Sequence, residues 1–299
     1  MLTRFIDYIR AERRYSELTV RNYRRDLERF AAWMDMAVFD PRRVTSDDVR
    51  AWIVRRTGRE GVSPQSMNRE LSSLRAFFRW ALSRGAVDRD IMHGITALRT
   101  SRRLPSFVPE TRMHAVVEEC SAVPADFVTE RDHLIILLLY TCGLRLAELV
   151  GINRGDFMDD FRALRIRGKG DKERIVPLKE SVRAKIIRYL ATIDRQNICF
   201  SEEKPLILSQ KGRRISRSGV YRVVQRSLTE AGVQGKKSPH VLRHTFATHL
   251  MNGGADLREI QELMGHASLE ATQVYTHNSI ARLKDIYRKA HPRQRDEHE

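Results

Sequence analysis

The sequence contains few cysteines and no long apolar segment. Its three cysteines, Cys120, Cys142 and Cys199, have no paired spacing, so we expect reduced thiols in a cytosol rather than a disulfide framework. No apolar run approaches the roughly 18 residues that a membrane-crossing helix needs, and residues 1–5 lack the apolar core of a signal peptide. The sequence therefore predicts a soluble protein of the cytoplasm with no membrane partner.

Metal ligands are also scarce where histidines cluster. His240 and His244 are one helical turn apart, a spacing found in zinc sites. However, Val241 stands where the metalloprotease motif requires glutamate, no Asp, Glu or Cys lies within a few residues, and Arg243 would repel a cation. We predict no metal and no cofactor. The alternative is a zinc hydrolase, whose activity a chelator would abolish.

Acidic residues are outnumbered throughout the chain. The 299 residues include 54 Lys and Arg against 38 Asp and Glu, a formal charge of +16. Residues 1–104 contribute +9, from 22 arginines, no lysine and 13 acidic residues, and the rest of the chain contributes +7. A polyanion is the expected partner. Because both halves are basic, we expect a clamp on double-stranded DNA, and the alternative is a solvated basic surface.

The length exceeds what one hydrophobic core usually organises, so we expect two domains. Residues 1–97 have the periodicity of a helical domain. Ser63 and Pro64 suit the start of a helix, and a shorter helix is predicted after Thr45. The polar and basic segment 98–106 breaks the periodicity, and we place an interdomain linker there. Two predicted helices carry apolar stripes, formed by Tyr23, Leu27, Phe30 and Met34 and by Met67, Leu71, Leu74 and Phe78.

Residues 107–299 show a mixed pattern. The apolar run His133–Leu139 predicts a buried helix. Segments 163–167 and 173–177 alternate in polarity, and the glycines between them predict a hairpin loop; Leu206–Leu208 is a candidate third strand. The pattern is mostly helical again from Ser181 onward. The expected fold is mainly α, with a helical N-terminal domain and a mixed α+β second domain that contains a small antiparallel sheet.

Residues able to attack and hold a phosphodiester are concentrated towards the end of the sequence. His240, Arg243, His266 and Tyr275 lie within about 35 residues. Without a divalent ion, fixed cations must offset the charge of the phosphate, and the planar guanidinium suits this because it binds two oxygens at once. The nucleophile must then come from the protein, and Tyr275 is the residue of this group that can serve.

Two further cations have both a functional and a structural interpretation. Arg145 follows Gly143 among apolar neighbours, and its donors need acceptors, which either a phosphate or Glu148 can supply. A purely structural pair with Glu148 is therefore the alternative. Lys169 lies in the predicted hairpin loop, where the flanking glycines let the backbone approach a ligand closely. Most hairpin lysines are simply solvated, which is the alternative there.

Five blocks in a fixed order resemble the tyrosine recombinase family, and most closely its bacterial Xer branch. They are Gly143–Leu149, Gly168–Lys172, Pro239–His244, Leu263–His266 and Tyr275–His277. The resemblance covers the whole chain, because Xer proteins also carry a helical core-binding domain ahead of the catalytic domain. It implies the tyrosine recombinase fold, with residues 1–97 as the core-binding domain and 107–299 as the catalytic domain. Departures from the usual family residues, at Cys142 and Met264, touch no chemical role.

The resemblance implies a catalytic set spread over these blocks: Arg145, Lys169, His240, Arg243, His266 and Tyr275. The tyrosine would attack the scissile phosphate and form a 3′-phosphotyrosyl bond, releasing a 5′-hydroxyl. The two arginines would hold the non-bridging oxygens, and the lysine would be the general acid for the leaving oxygen. Of the two histidines, the first would assist proton transfer at the tyrosine and the second would donate a hydrogen bond to the phosphate.

The resemblance also implies partners. The apolar stripe at 280–290 would form an interaction helix that docks into a neighbouring protomer, giving a synaptic tetramer of this recombinase alone or with a sister recombinase. The Xer branch implies chromosome dimer resolution at a dif-like site, with a septal DNA translocase as a further partner. The alternatives are an integrase or recombinase of a mobile element, a type IB topoisomerase that works without synapsis, and a non-catalytic architectural DNA-binding protein.

Overall fold

The computed structural model describes residues 1–36, 39–100, 107–121, 126–168, 173–196, 198 and 204–264. The chain divides into two compact units, Met1–Arg103 and Leu104–Glu299. The predicted limits of the domains and of the linker at 98–106 stay a prediction, because 101–106 lie outside the described residues. Every helix in the described ranges is too short or too polar to cross a membrane.

The first unit is helical in its described residues, as predicted. Its N-caps follow the local sequence: Ser63 accepts the amide of Ser66 (3.3 Å), and Thr45 and Asp48 form a reciprocal capping box. Both predicted apolar stripes contribute to one core, in which Phe30 and Trp52 are buried. The helices are α1 (Leu2–Ala11), α2 (Glu17–Trp33), α3 (Ser46–Val54) and α4 (Pro64–Ser83), with a 3-10 turn at Pro41–Arg43 and a π-helical segment at Arg55–Arg59.

The second unit is built around one central helix. Within the described residues, helix α6 (Phe127–Thr141) packs against helices on several sides. Leu134–Tyr140 are all buried, which explains why this segment is apolar on every face. The predicted buried helix is thus confirmed, although it begins earlier, at Phe127. The helices are α5 (Glu110–Ser121), α6 (Phe127–Thr141), α7 (Leu146–Gly151), α8 (Glu180–Arg195), α9 (Arg217–Glu230), α10 (Pro239–Asn252) and α11 (Leu257–Met264), with a 3-10 turn at Arg154–Asp156.

A small antiparallel sheet follows α7 in the order β1 (Phe157–Met158), β2 (Ala163–Arg167) and β3 (Glu173–Pro177). Strands β2 and β3 pair in the predicted hairpin, with Arg165 opposite Ile175. The mainly α fold with a small antiparallel sheet is therefore confirmed. The hairpin loop, which contains Lys169, lies outside the described residues.

The prediction of a third strand at Leu206–Leu208 was wrong. This segment is buried, but it forms only an isolated antiparallel bridge, between Leu208 and Arg214, and its other backbone bonds go to separate partners. The amide of Leu206 donates to the carbonyl of Ile152 (3.0 Å), whereas the amide of Leu208 donates to the hydroxyl of Tyr189 (3.2 Å). A short apolar run marks burial, and only an adjacent strand would have made it part of a sheet.

Two cysteines, Cys120 and Cys142, are free and buried. Burial raises the pKa of Cys120 to about 12 and that of Cys142 to about 11. Both therefore behave as small apolar core residues. Cys199 lies outside the described residues.

Candidate active site

Helix α10 carries one predicted catalytic arginine and the histidines around it. Ser238 is the N-cap and Pro239 the first helical residue, a combination that suits a helix start. Four residues later Arg243 points into the unit, with 5% of its side chain exposed. His240, in the first turn of the helix, is exposed.

Arg243 is held by backbone carbonyls on two sides. Its Nη1 donates to the carbonyl of Gly143, and its Nη2 donates to the carbonyl of Met264 (2.6 Å). Such bonds fix the plane of the guanidinium before any ligand arrives. A guanidinium has five N–H groups, so donors remain for a phosphate.

The turn between α6 and α7 brings Arg145 to the same place. The amide of Arg145 donates to Oε2 of Glu148 (2.7 Å), and its Nη1 donates to Oε1 (2.8 Å). Glu148 thus caps the start of α7 and orients the guanidinium at once. The side chain of Arg145 is still 39% exposed, so it can reach a ligand while it is anchored. The structural pair with Glu148 and a phosphate-binding role are therefore compatible.

A third arginine comes from strand β3. Arg174 donates from Nη1 to Oε1 and from Nη2 to Oε2 of Glu148, each at 2.8 Å. Both side chains are nearly fully buried, at 6% and 4% exposed. Nη1 of Arg243 lies 3.9 Å from Oε2 of the same carboxylate. Glu148 is therefore the common neighbour of three guanidiniums that come from different parts of the second unit.

The electrostatics of this cluster favour an anion. Burial alone would raise the pKa of Glu148, but the hydrogen bonds and charge of Arg174, together with the hydrogen bonds from Arg145, outweigh it and hold the pKa at about 2. Burial and the positive charge of Arg145 lower the pKa of Arg243 to about 10, so it stays protonated at neutral pH. Three positive charges face one negative charge, and the excess suits a phosphodiester.

The structure brings together Arg145 and Arg243, two of the six predicted catalytic residues. His240 lies three positions before Arg243 on α10, so the two are neighbours along the helix surface. Lys169, His266 and Tyr275 lie outside the described residues, and their places in the site stay predictions. The described residues hold no group of three or more His, Cys, Asp or Glu side chains that could bind a metal.

Sequence reasoning missed Arg174. The alternation in β3 indicates that Arg174 is buried, because it lies on the same face as the apolar Val176. A charged residue on the buried face of a strand requires an ionic partner. The sequence suggests Glu148 as a partner of Arg145 alone, whereas in the structure it joins three elements.

Two family profiles match the chain. The profile described as Phage integrase family covers residues 107–282, and the one described as Phage integrase, N-terminal SAM-like domain covers residues 2–85. Full-length relatives agree. Tyrosine recombinase XerC of Thermodesulfovibrio yellowstonii is 37% identical over 97% of this chain and 96% of its own length. Tyrosine recombinase XerD of Corynebacterium glutamicum is 34% identical over 97% of each chain.

Solved structures show the same fold. The XerH site-specific recombinase bound to palindromic difH substrate, in a post-cleavage complex, superposes with a TM-score of 0.70 at 23% identity, over 96% of this chain and 84% of that one. A lambda integrase dimer bound to a COC′ core site gives a TM-score of 0.67 at 18% identity, over 92% and 97% of the two chains. At these identities the two comparisons establish the architecture.

Proposed function

The chain belongs to the phage integrase family of tyrosine recombinases, in its Xer-like branch, and from this premise we propose that it exchanges DNA strands through a 3′-phosphotyrosyl intermediate at a dif-like site. It is a site-specific DNA recombinase. The finer assignment, resolution of chromosome dimers, is supported by relatives named XerC and XerD that match over the full length.

The observation that carries this proposal is the pair of guanidiniums beside Glu148. Phosphoryl transfer requires charge stabilisation on the equatorial oxygens and little else from the protein besides positioning. Arg243 is buried and bonded to two carbonyls, and Arg145 is anchored but partly exposed. Two such cations can bind the non-bridging oxygens without a metal ion.

The remaining roles follow the family pattern. The phenolate oxygen of Tyr275 attacks phosphorus, and the bond from phosphorus to the 5′-oxygen breaks. Lys169 delivers a proton to that oxygen, and His240 takes part in removing the proton of the tyrosine. His266 donates a hydrogen bond to the phosphate. A 5′-hydroxyl from a second strand then reverses the reaction on a new partner, so no cofactor is consumed.

Strand exchange of this kind needs two DNA duplexes and several protomers. We therefore propose double-stranded DNA as the substrate and a synaptic tetramer, of this chain alone or with a sister recombinase, as the working form. The DNA-bound XerH and lambda integrase structures support the DNA partner by their fold. The interaction helix at 280–290, a septal DNA translocase and a cytoplasmic location remain part of the proposal.

A nicked suicide duplex tests the chemistry. First, cleavage by the native protein is mapped on genomic DNA, and a duplex with the mapped site is nicked so that the released strand diffuses away. The native chain should form a covalent adduct, and Tyr275→Phe should abolish it while duplex binding is retained. The control is Tyr221→Phe, which alters an exposed tyrosine on α9 of the same unit.

The outcomes distinguish the alternatives. An adduct that survives Tyr275→Phe would remove that residue from its role, and a native chain that binds but never forms an adduct would be an architectural protein. Cleavage at the borders of an integrated element would assign the chain to a mobile element. Cleavage at one chromosomal site of dyad symmetry would support dimer resolution.

A further inference from the structure

We propose that Arg174 is a positioning residue for strand cleavage, because it occupies the carboxylate of Glu148 and so leaves the donors of Arg145 and Arg243 available to the DNA phosphate. This inference rests on the proposed function. Arg174 itself is too deeply buried to touch DNA, with 6% of its side chain exposed. Its effect must therefore pass through Glu148.

The first argument is the capacity of the carboxylate. An ionised carboxylate offers about four acceptor positions, and Glu148 accepts four hydrogen bonds from described residues: two from Arg174, one from the amide of Arg145 and one from its Nη1. The carboxylate is saturated, and Arg174 supplies half of the donors. Without Arg174, two acceptor positions would open beside the other arginines.

The second argument is the distance of Arg243. Its Nη1 lies 3.9 Å from Oε2 of Glu148 and instead donates to the carbonyl of Gly143. An opened carboxylate would attract this guanidinium, because a charged acceptor binds more strongly than a carbonyl. Arg243 would then move towards Glu148 and give up donors that face the phosphate. Arg145 would be drawn inward for the same reason.

The third argument is that Arg174 is dedicated to this one partner. Both terminal nitrogens bond Glu148, and the buried Nε has no hydrogen-bond partner among the described residues. Leaving a buried donor unpaired costs stability. In addition, stability alone does not require an ion pair here, since replacing both partners of a buried pair with well-packed apolar side chains is often neutral for stability. A functional role would explain why Arg174 makes two parallel hydrogen bonds to Glu148.

The main test separates binding from cleavage in Arg174→Met. On the nicked duplex that carries the mapped site, we expect the single-turnover cleavage rate at saturating DNA to fall by about 30-fold or more, with Kd changed by less than about threefold. The double variant Arg174→Met with Glu148→Gln should cleave at least about fivefold faster than Arg174→Met alone, because a neutral amide no longer draws the two arginines inward. The single variant Glu148→Gln completes the double-mutant cycle.

Arg131→Met is the matched control. Arg131 is also buried in the second unit and donates twice to a single carboxylate, that of Asp132, at 2.8 and 2.7 Å. Its loss should lower the unfolding midpoint but leave the cleavage rate of the folded protein unchanged. Should Arg174→Met fail to fold by circular dichroism, Arg174→Lys keeps the charge without the fork and should cleave at an intermediate rate.

Other results would overturn either the positioning role of Arg174 or the proposed function. A native cleavage rate in the folded Arg174 variant, a loss confined to DNA affinity, or a double variant that recovers nothing would overturn the positioning role. If even the native chain forms no covalent adduct on the mapped duplex, the proposed function fails, and the role of Arg174 fails with it.

Discussion

Gly143 shows how one residue without a side chain can set the geometry of the site. It lies at φ +56°, and a Cβ at this position would collide with the ring of Phe246 on α10. The carbonyl of the same residue accepts a hydrogen bond from Arg243, also on α10. Close approach of the turn to the helix is therefore a condition for holding Arg243, and glycine allows that approach.

Gly143→Ala should destabilise the second unit and slow strand cleavage. The left-handed backbone costs an alanine roughly 1–2 kcal/mol, and the overpacked contact adds roughly 1–3 kcal/mol. Urea unfolding followed by far-UV circular dichroism measures the loss of stability, and the suicide-duplex assay measures the loss of cleavage rate. Displacement of the Gly143 carbonyl would weaken its hydrogen bond to Arg243 and leave the guanidinium less rigidly held.

Gly85→Ala is the control for this prediction, because Gly85 has φ +64° but nothing within 4 Å of an added Cβ. It should show the backbone cost alone. Adding Phe246→Leu to Gly143→Ala should recover part of the stability. Equal losses in the two glycine variants would show that the contact with Phe246 carries no weight.

At the scale of elements, α10 is joined to α6 and to the segment before α5 through one buried histidine. Nε2 of His249 bonds the carbonyl of Val108 (3.0 Å), and Nδ1 bonds the hydroxyl of Tyr140 (3.0 Å). Because a carbonyl only accepts, Nε2 must carry a proton, and neutral Nδ1 then accepts from the tyrosine. Burial lowers the pKa of His249, which agrees with a neutral ring.

This arrangement predicts a pH dependence of stability. The unfolded chain binds a proton at His249 below the ordinary pKa of 6.5, whereas the folded chain resists protonation. Stability should therefore fall as the pH drops from about 7.5 to about 5.5. In His249→Gln, whose neutral amide can both donate and accept, the fall in the urea midpoint should be smaller.

His133 retains part of the dependence in that variant, because burial also lowers its pKa. His93→Gln, which replaces an exposed histidine of the first unit, should leave the native pH profile unchanged. A His249→Gln profile that overlays the native one would contradict a neutral buried ring at this position.

The elements also show how far sequence reasoning reaches. The helix starts at Ser63 and Thr45 were predictable because a cap is a bond between residues three apart. The hairpin was predictable because its strands are adjacent in sequence. Arg174 was missed because its partner, Glu148, lies 26 positions away on α7, and Leu206–Leu208 was misassigned because strand pairing depends on which distant segment lies alongside.

At the scale of the whole molecule, each unit encloses its own apolar cluster. One cluster consists of residues from Phe5 to Ile95 and the other of residues from Val108 to Leu263. The three tryptophans, Trp33, Trp52 and Trp80, all belong to the first unit. Tryptophan fluorescence therefore reports on the first unit alone, whereas far-UV circular dichroism reports on the helices of both.

Separate cores predict separable unfolding transitions. Leu138→Ala on α6 removes a fully buried side chain of the second cluster and should cost about 3 kcal/mol. The urea transition seen by circular dichroism should lose part of its amplitude to a lower midpoint, with the fluorescence midpoint unchanged. Leu27→Ala, in the first cluster, should shift the fluorescence transition instead. If Leu138→Ala moves both transitions equally, the two clusters unfold as one cooperative unit. A comparison of circular dichroism with tryptophan fluorescence could then no longer assign the stability effect of a catalytic-site variant to the second unit.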